Sequence, residues 1–124
     1  IYDTIHNGLH RNGVVIGDNN DLNILVDVSK LMPYFIDMDA AQYGGFYSKS
    51  YMTKYLDPML SKPGEMELAK PHTEISEWYS FMIMLFESLL FTSPYGGIFK
   101  KKVNGSRVKH NDRPLHRIAC FQMN

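Results

Sequence analysis

The stretch Gly17-Asp18-Asn19-Asn20-Asp21-Leu22-Asn23-Ile24-Leu25-Val26 decides how this chain is read. It has the form Asp, four residues, Asn, then an apolar run. Fourteen residues past Asn23 a second acid follows, in Tyr34-Phe35-Ile36-Asp37-Met38-Asp39. Asp18, Asn23 and Asp37 flank short β-branched or aromatic runs at 14–16, 24–28 and 34–36, which suit strands. Two such strands pairing antiparallel would bring the three oxygen-bearing side chains to the same end of a hairpin. Phosphoryl transfer needs that grouping: one carboxylate beside the attacking hydroxyl, and an Asn with a second carboxylate holding Mg²⁺ against the phosphates.

Outward from this stretch, residues 27–33 supply the turn between the last two strands. Upstream, Ile1, Ile5 and Leu9, with the nearby His6 and His10, read as the tail of an amphipathic helix broken at Gly13. Gly44-Gly45 permits positive φ and opens a flexible segment reaching Pro58. Residues 61–71, with Lys, Pro and Gly and little apolar content, read as an exposed loop. Trp78, Phe81, Met82, Leu85, Phe86, Leu89 and Leu90 then recur at helical spacing. With Ile83 and Met84 this helix is apolar nearly all round, which predicts a buried central helix. It is shorter than the roughly 20 residues of a membrane span. After Pro94-Tyr95-Gly96-Gly97 the chain turns basic and polar.

A chain of 124 residues, 44% hydrophobic and 13% aromatic, forms one globular domain with its own core and is not disordered. Its 13 basic and 13 acidic residues cancel, so no overall field draws it to nucleic acid or to a membrane. Cys120, the lone cysteine, cannot form an internal disulfide, which favours a reducing compartment or sets no constraint; a cytoplasmic location is expected. The histidines His6, His10, His72, His110 and His116 form no zinc-spaced cluster and read as structural. Lys100-Lys101-Lys102, Arg107 and Lys109 read as a solvated basic loop, Asp39 and Asp21 as solvated loop acids, and the eight methionines as core filling.

The series resembles the catalytic core of the protein-kinase-like superfamily over roughly residues 5 to 96. Leu9-His10-Arg11-Asn12-Gly13-Val14-Val15-Ile16-Gly17-Asp18 resembles the helix end, turn and strand that deliver a catalytic loop. Tyr55-Leu56-Asp57-Pro58-Met59-Leu60 resembles the Ala-Pro-Glu segment, and Ser76-Glu77-Trp78-Tyr79-Ser80-Phe81 the start of the buried helix after it. The resemblance implies Asp18 as the catalytic aspartate, Asn23 as the metal-binding asparagine and Asp37 as the Asp-Phe-Gly aspartate. Asn23 and Asp37 would thus be the cofactor and metal ligands for Mg-ATP, and Glu77 would take the place of an acid that braces the catalytic loop.

The departures are specific. Ile16-Gly17 replaces His-Arg, Asn20 replaces the catalytic-loop lysine, Met38-Asp39 replaces Phe-Gly, and Met59 replaces the Glu of Ala-Pro-Glu. Gly-Asp-x₄-Asn with Ile-Asp-x-Asp is similar to aminoglycoside and choline phosphotransferases, while the Ser-Glu-Trp-Tyr-Ser-Phe helix is similar to protein kinases. The chain thus resembles an atypical member, of bacterial or phage type, between the two groups. No Gly-rich loop or strand lysine precedes the core.

The expected fold is therefore α+β and mostly helical, a kinase-like C-terminal lobe lacking its N-terminal lobe, with residues 1–124 a fragment or remnant of a larger domain. The expected function is phosphotransfer from Mg-ATP in a complete parent protein, the isolated chain being inactive. The alternative is an inactive, pseudokinase-like binding or assembly module, its cleft face covered by a protein partner or by the missing lobe.

Overall fold

The computed structural model describes residues 3–97, 103 and 105–118; Ile1, the lysine run 100–102 and Cys120 lie outside the described residues. The chain enters through a single π-helical turn, Thr4–Leu9, and a 3-10 turn, His10–Asn12. Gly13 ends it at φ 72°, a left-handed conformation that glycine adopts without steric cost. Strand β1 (Val14–Ile16) follows, then a 3-10 turn, Asp21–Asn23, capped by the Asn20 side chain accepting from the Leu22 N–H.

Strands β2 (Ile24–Asp27) and β3 (Met32–Phe35) form an antiparallel hairpin with Ile24 opposite Phe35 and Asp27 opposite Met32. The Asp27 carboxylate sets the turn by accepting from the Ser29 N–H at 2.9 Å and the Ser29 hydroxyl at 2.6 Å. Those bonds hold the Asp27 carboxyl below its ordinary pKa. Strand β4 (Ala41–Tyr43) returns to pair with β1, Ile16 opposite Ala41. The β2–β3 hairpin is thus inserted between the two strands of the other ladder, so both ladders open toward residues 17–23 and 36–40.

Helix α1 (Glu74–Leu90) begins with a capping box, in which Thr73 Oγ1 accepts from the Ser76 N–H and Ser76 Oγ accepts from the Thr73 N–H. It buries Ser76, Glu77, Ser80, Ile83 and Met84, a stripe at helical spacing. Ile83 and Met84 pack with Tyr55 and Tyr95 in one apolar cluster; Leu56, Leu60 and Leu115 form another.

Two expectations are corrected here. Over the described residues the protein is an α+β mix, 35% helical and 17% strand, and not mostly helical. Between β4 and α1 the chain runs through turns and one 3-10 turn, Thr53–Tyr55, because Gly, Pro, Ser and Lys interrupt any 3.6-residue apolar pattern there. Nor is α1 buried all round: Ile75, Met82, Leu89 and Leu90 are exposed, since packing partners cover only its polar-containing stripe. Among the described residues no helix is long and apolar enough to cross a membrane.

Candidate functional site

Asp18 lies two residues beyond the end of β1, and its position is fixed from both sides. Gly17 donates its N–H to the Ala40 carbonyl at 3.1 Å. A Cβ at position 17 would stand 2.5 Å from that oxygen, so the close approach of the two strands requires glycine there. Packing against the Ala40 carbonyl, just before β4, accounts for the glycine that the resemblance marked as a departure.

Behind the loop, Glu77 of α1 is buried, and its Oε2 accepts from the Ile16 N–H at 2.9 Å and meets His10 Nε2 at 3.1 Å. Glu77 therefore braces the end of β1. Burial raises the Glu77 carboxyl above its ordinary pKa, against the lowering effect of the Ile16 and His10 hydrogen bonds. His10 is held by this contact and by an edge-on approach to the Trp78 ring at 5.4 Å, a structural role.

The loop is organised by asparagines. Asn20 Nδ2 donates to the Asp18 carbonyl at 3.1 Å and to Asp18 Oδ1 at 3.0 Å. Where a lysine would add charge, this chain orients the carboxylate with a neutral amide. Asn23 Nδ2 donates to the Asp18 carbonyl at 3.1 Å, which leaves Asn23 Oδ1 as the acceptor for a cation. Ile36 donates its N–H to the Asn23 carbonyl at 2.9 Å, so Asp37 follows directly on a residue bonded to Asn23.

The structure thus joins Asp18 to Asn23 by a hydrogen bond and brings the Asp37 backbone beside Asn23. Neither Asn23 nor Asp37 lines the cavity beside Asp18. Asp37 is exposed, in a left-handed conformation at φ 55°, and its carboxylate has no hydrogen bond or ion pair among the described residues. The cavity beside Asp18 is lined instead by Asn19, Asp57, His72, Ser76 and Ser80, with Tyr55 among its apolar walls.

Sequence reasoning set His72 aside. It is buried, its N–H and carbonyl are both bonded to the Gln42 side chain at 3.1 and 2.8 Å, and its Nε2 meets the Ser50 carbonyl at 2.9 Å. Burial lowers its pKa, opposed by the Ser50 bond and the nearby charge of Asp18. The available signal was positional: Thr73 and Ser76 mark the start of α1, which puts His72 at the helix entry, one turn from Glu77. Farther along the same wall, Lys54 Nζ lies 2.6 Å from Glu87 Oε2 and donates to the Tyr55 hydroxyl at 2.9 Å. Burial alone would lower the Lys54 ammonium; the bonds to Glu87 and Tyr55 outweigh it and raise it. Burial pushes the Tyr55 hydroxyl up to about 12.

Among the described residues no group of three His, Cys, Asp or Glu side chains is placed to hold a metal. Asn23 Oδ1 and the Asp37 carboxylate are nevertheless hard oxygen donors of the kind Mg²⁺ takes, in the small number it uses when phosphates complete its shell. Compared with protein-family models and with curated proteins, the chain matches none.

Proposed function

We propose that, within a complete parent protein, this chain supplies the catalytic loop of a phosphotransferase that uses Mg-ATP, in a cytoplasmic setting. Asp18 accepts the proton of the attacking hydroxyl or orients that hydroxyl, and Asn23 and Asp37 hold Mg²⁺, which neutralises phosphate charge when bound. The observation that carries the reading is the Asp18–Asn23 hydrogen bond at the end of a strand clamped by Glu77. That bond fixes the Asp18 backbone, and Asn20 Nδ2 holds the carboxylate at 3.0 Å; a carboxylate preorganised in this way is how a site dominated by positioning gains rate.

In the parent protein, phosphate transfer from ATP is expected, with loss on Asp18→Asn and on Asp37→Asn. A parent protein whose transfer survives both substitutions overturns the reading. The 124-residue chain alone is expected to gain little from nucleotide: at a concentration equal to Kd, stabilisation is only about 0.4 kcal/mol. A melting shift of many degrees with Mg-ATP, lost in Asp37→Asn, would show that the chain binds nucleotide unaided.

A second reading, an inactive module that binds a partner chain, is favoured by exposed apolar surface. Leu25, Val26, Met32 and Tyr34 of the hairpin are all exposed. On α1, Met82, Leu85, Phe86 and Leu89 line an apolar groove of about 390 Å³. Contiguous surface of this kind marks interaction sites.

A further inference from the structure

The cavity beside Asp18 has a volume of about 10 Å³, close to the least room one water molecule needs. One of its lining residues, Asn19, is 3% exposed, and its Oδ1 has no hydrogen-bond partner. Its Nδ2 reaches back to the Glu77 carbonyl at 3.5 Å. Buried acceptors are nearly always satisfied, by protein or by ordered water. His72 lines the same cavity, and the Ser50 carbonyl can only accept, so the proton of the neutral ring sits on Nε2. Nδ1 then carries a lone pair. Asn19 Oδ1 is the buried acceptor without a partner here; His72 and Asp18, whose Oδ1 already accepts from Asn20 Nδ2, line the same cavity and bring further acceptor atoms to it. Water, with two donors, suits them.

We propose that His72 is a positioning residue for Asp18, acting through a single water held in this cavity together with Asn19. Its backbone, pinned twice by Gln42, and its ring, pinned by Ser50, fix the bridge to β4 and to the segment before Thr53–Tyr55. The catalytic significance of the bridge rests on the phosphotransfer reading; the bridge itself does not.

The test is a high-resolution crystal structure of the full 124-residue chain with ¹⁵N NMR of its histidines. Water density within about 3.2 Å of Asn19 Oδ1 and His72 Nδ1 is expected, with ¹⁵N shifts showing Nε2 protonated and Nδ1 bare. His72→Gln, which keeps one donor for Ser50 and one acceptor for the water, should retain the water, and His72→Leu should lose it. A dry cavity in the wild type, or a proton on Nδ1, overturns the proposal, and both are read without any variant. Retention of the water in His72→Leu overturns it as well. If the water is present but the parent protein transfers no phosphate, the phosphotransfer reading falls and the bridge stands.

Discussion

Replacing Glu77 with Ala tests the brace on which the whole site depends. Glu77 is 2% exposed, and its carboxylate serves the Ile16 N–H and the His10 ring at once. Deleting it leaves a buried backbone donor and a buried imidazole without their acceptor. Each unsatisfied buried group costs about 1–3 kcal/mol, and removing one partner of a buried pair costs about 3–5 kcal/mol. We therefore expect Glu77→Ala to lose about 3–5 kcal/mol, against a total stability of about 5–15 kcal/mol for a domain. Glu77→Gln keeps an acceptor for Ile16 without the buried charge and should lose far less. Urea unfolding followed by Trp78 fluorescence is suited to the purpose, because Trp78 is the single tryptophan and lies against His10 and Phe81. A loss for Glu77→Ala below about 1 kcal/mol would refute the reasoning, since even one orphaned donor should exceed it. The pH dependence adds a second check. Burial raises the folded-state pKa of Glu77, so between the unfolded and folded values the folded chain holds the extra proton. Stability from this group is greatest below the ordinary carboxylate range and is lost as pH rises through the folded value. Glu77→Gln should abolish that slope.

Gly17→Ala should cost about 1–3 kcal/mol by overpacking, since the new methyl group meets the Ala40 carbonyl; a neutral result in chemical denaturation would mean that β1 and β4 do not approach so closely. Ile83→Ala, at a buried position, should cost about 2–5 kcal/mol, and Leu85→Ala, 37% exposed, clearly less; equal losses would place Leu85 in a covered interface. His72, held below its ordinary value of 6.5 by burial, is neutral in the folded chain where the unfolded chain is protonated. Its contribution is therefore full above 6.5 and lost as pH falls toward the lowered value, a slope that His72→Gln should flatten in thermal melts.

The legible parts of this molecule were those with a local cause. Val14–Ile16 was readable because three β-branched residues stand between two glycines, and α1 because its apolar spacing is strongly helical. Ala41–Tyr43 was not, since a strand of three residues without a β-branched side chain forms only through its ladder with β1. The side-chain pattern of α1 was read as all-round burial because periodicity reports apolar surface and not what covers it. The polar stripe Ser76, Glu77 and Ser80 is the buried one. At the site, Asp18 and Asn23 are five residues apart and joined by one turn, so their spacing encodes their contact. His72 reaches the same cavity only through the packing of α1 and β4, which no local pattern states.

Charge makes the site dependent on what it meets. A phosphoryl group approaching Asp18 meets its carboxylate and that of Asp57 on the same cavity, with the neutral amide of Asn20 bonded to Asp18 in place of a cation. The two cations buried or half-buried nearby are engaged elsewhere. Lys54 is paired with Glu87, and Arg113 donates to the carbonyls of Tyr95, Gly96 and Gly97 at 2.6, 3.0 and 2.9 Å. Transferring phosphate beside two uncompensated carboxylates is unfavourable, and electrostatic stabilisation is usually the largest single contribution to such a step. On the phosphotransfer reading, the compensating positive charge must come from Mg²⁺ at Asn23 and Asp37 and from cations of the rest of the parent protein. On the module reading, the exposed apolar side chains of the hairpin suit a partner that covers them with an apolar surface of its own.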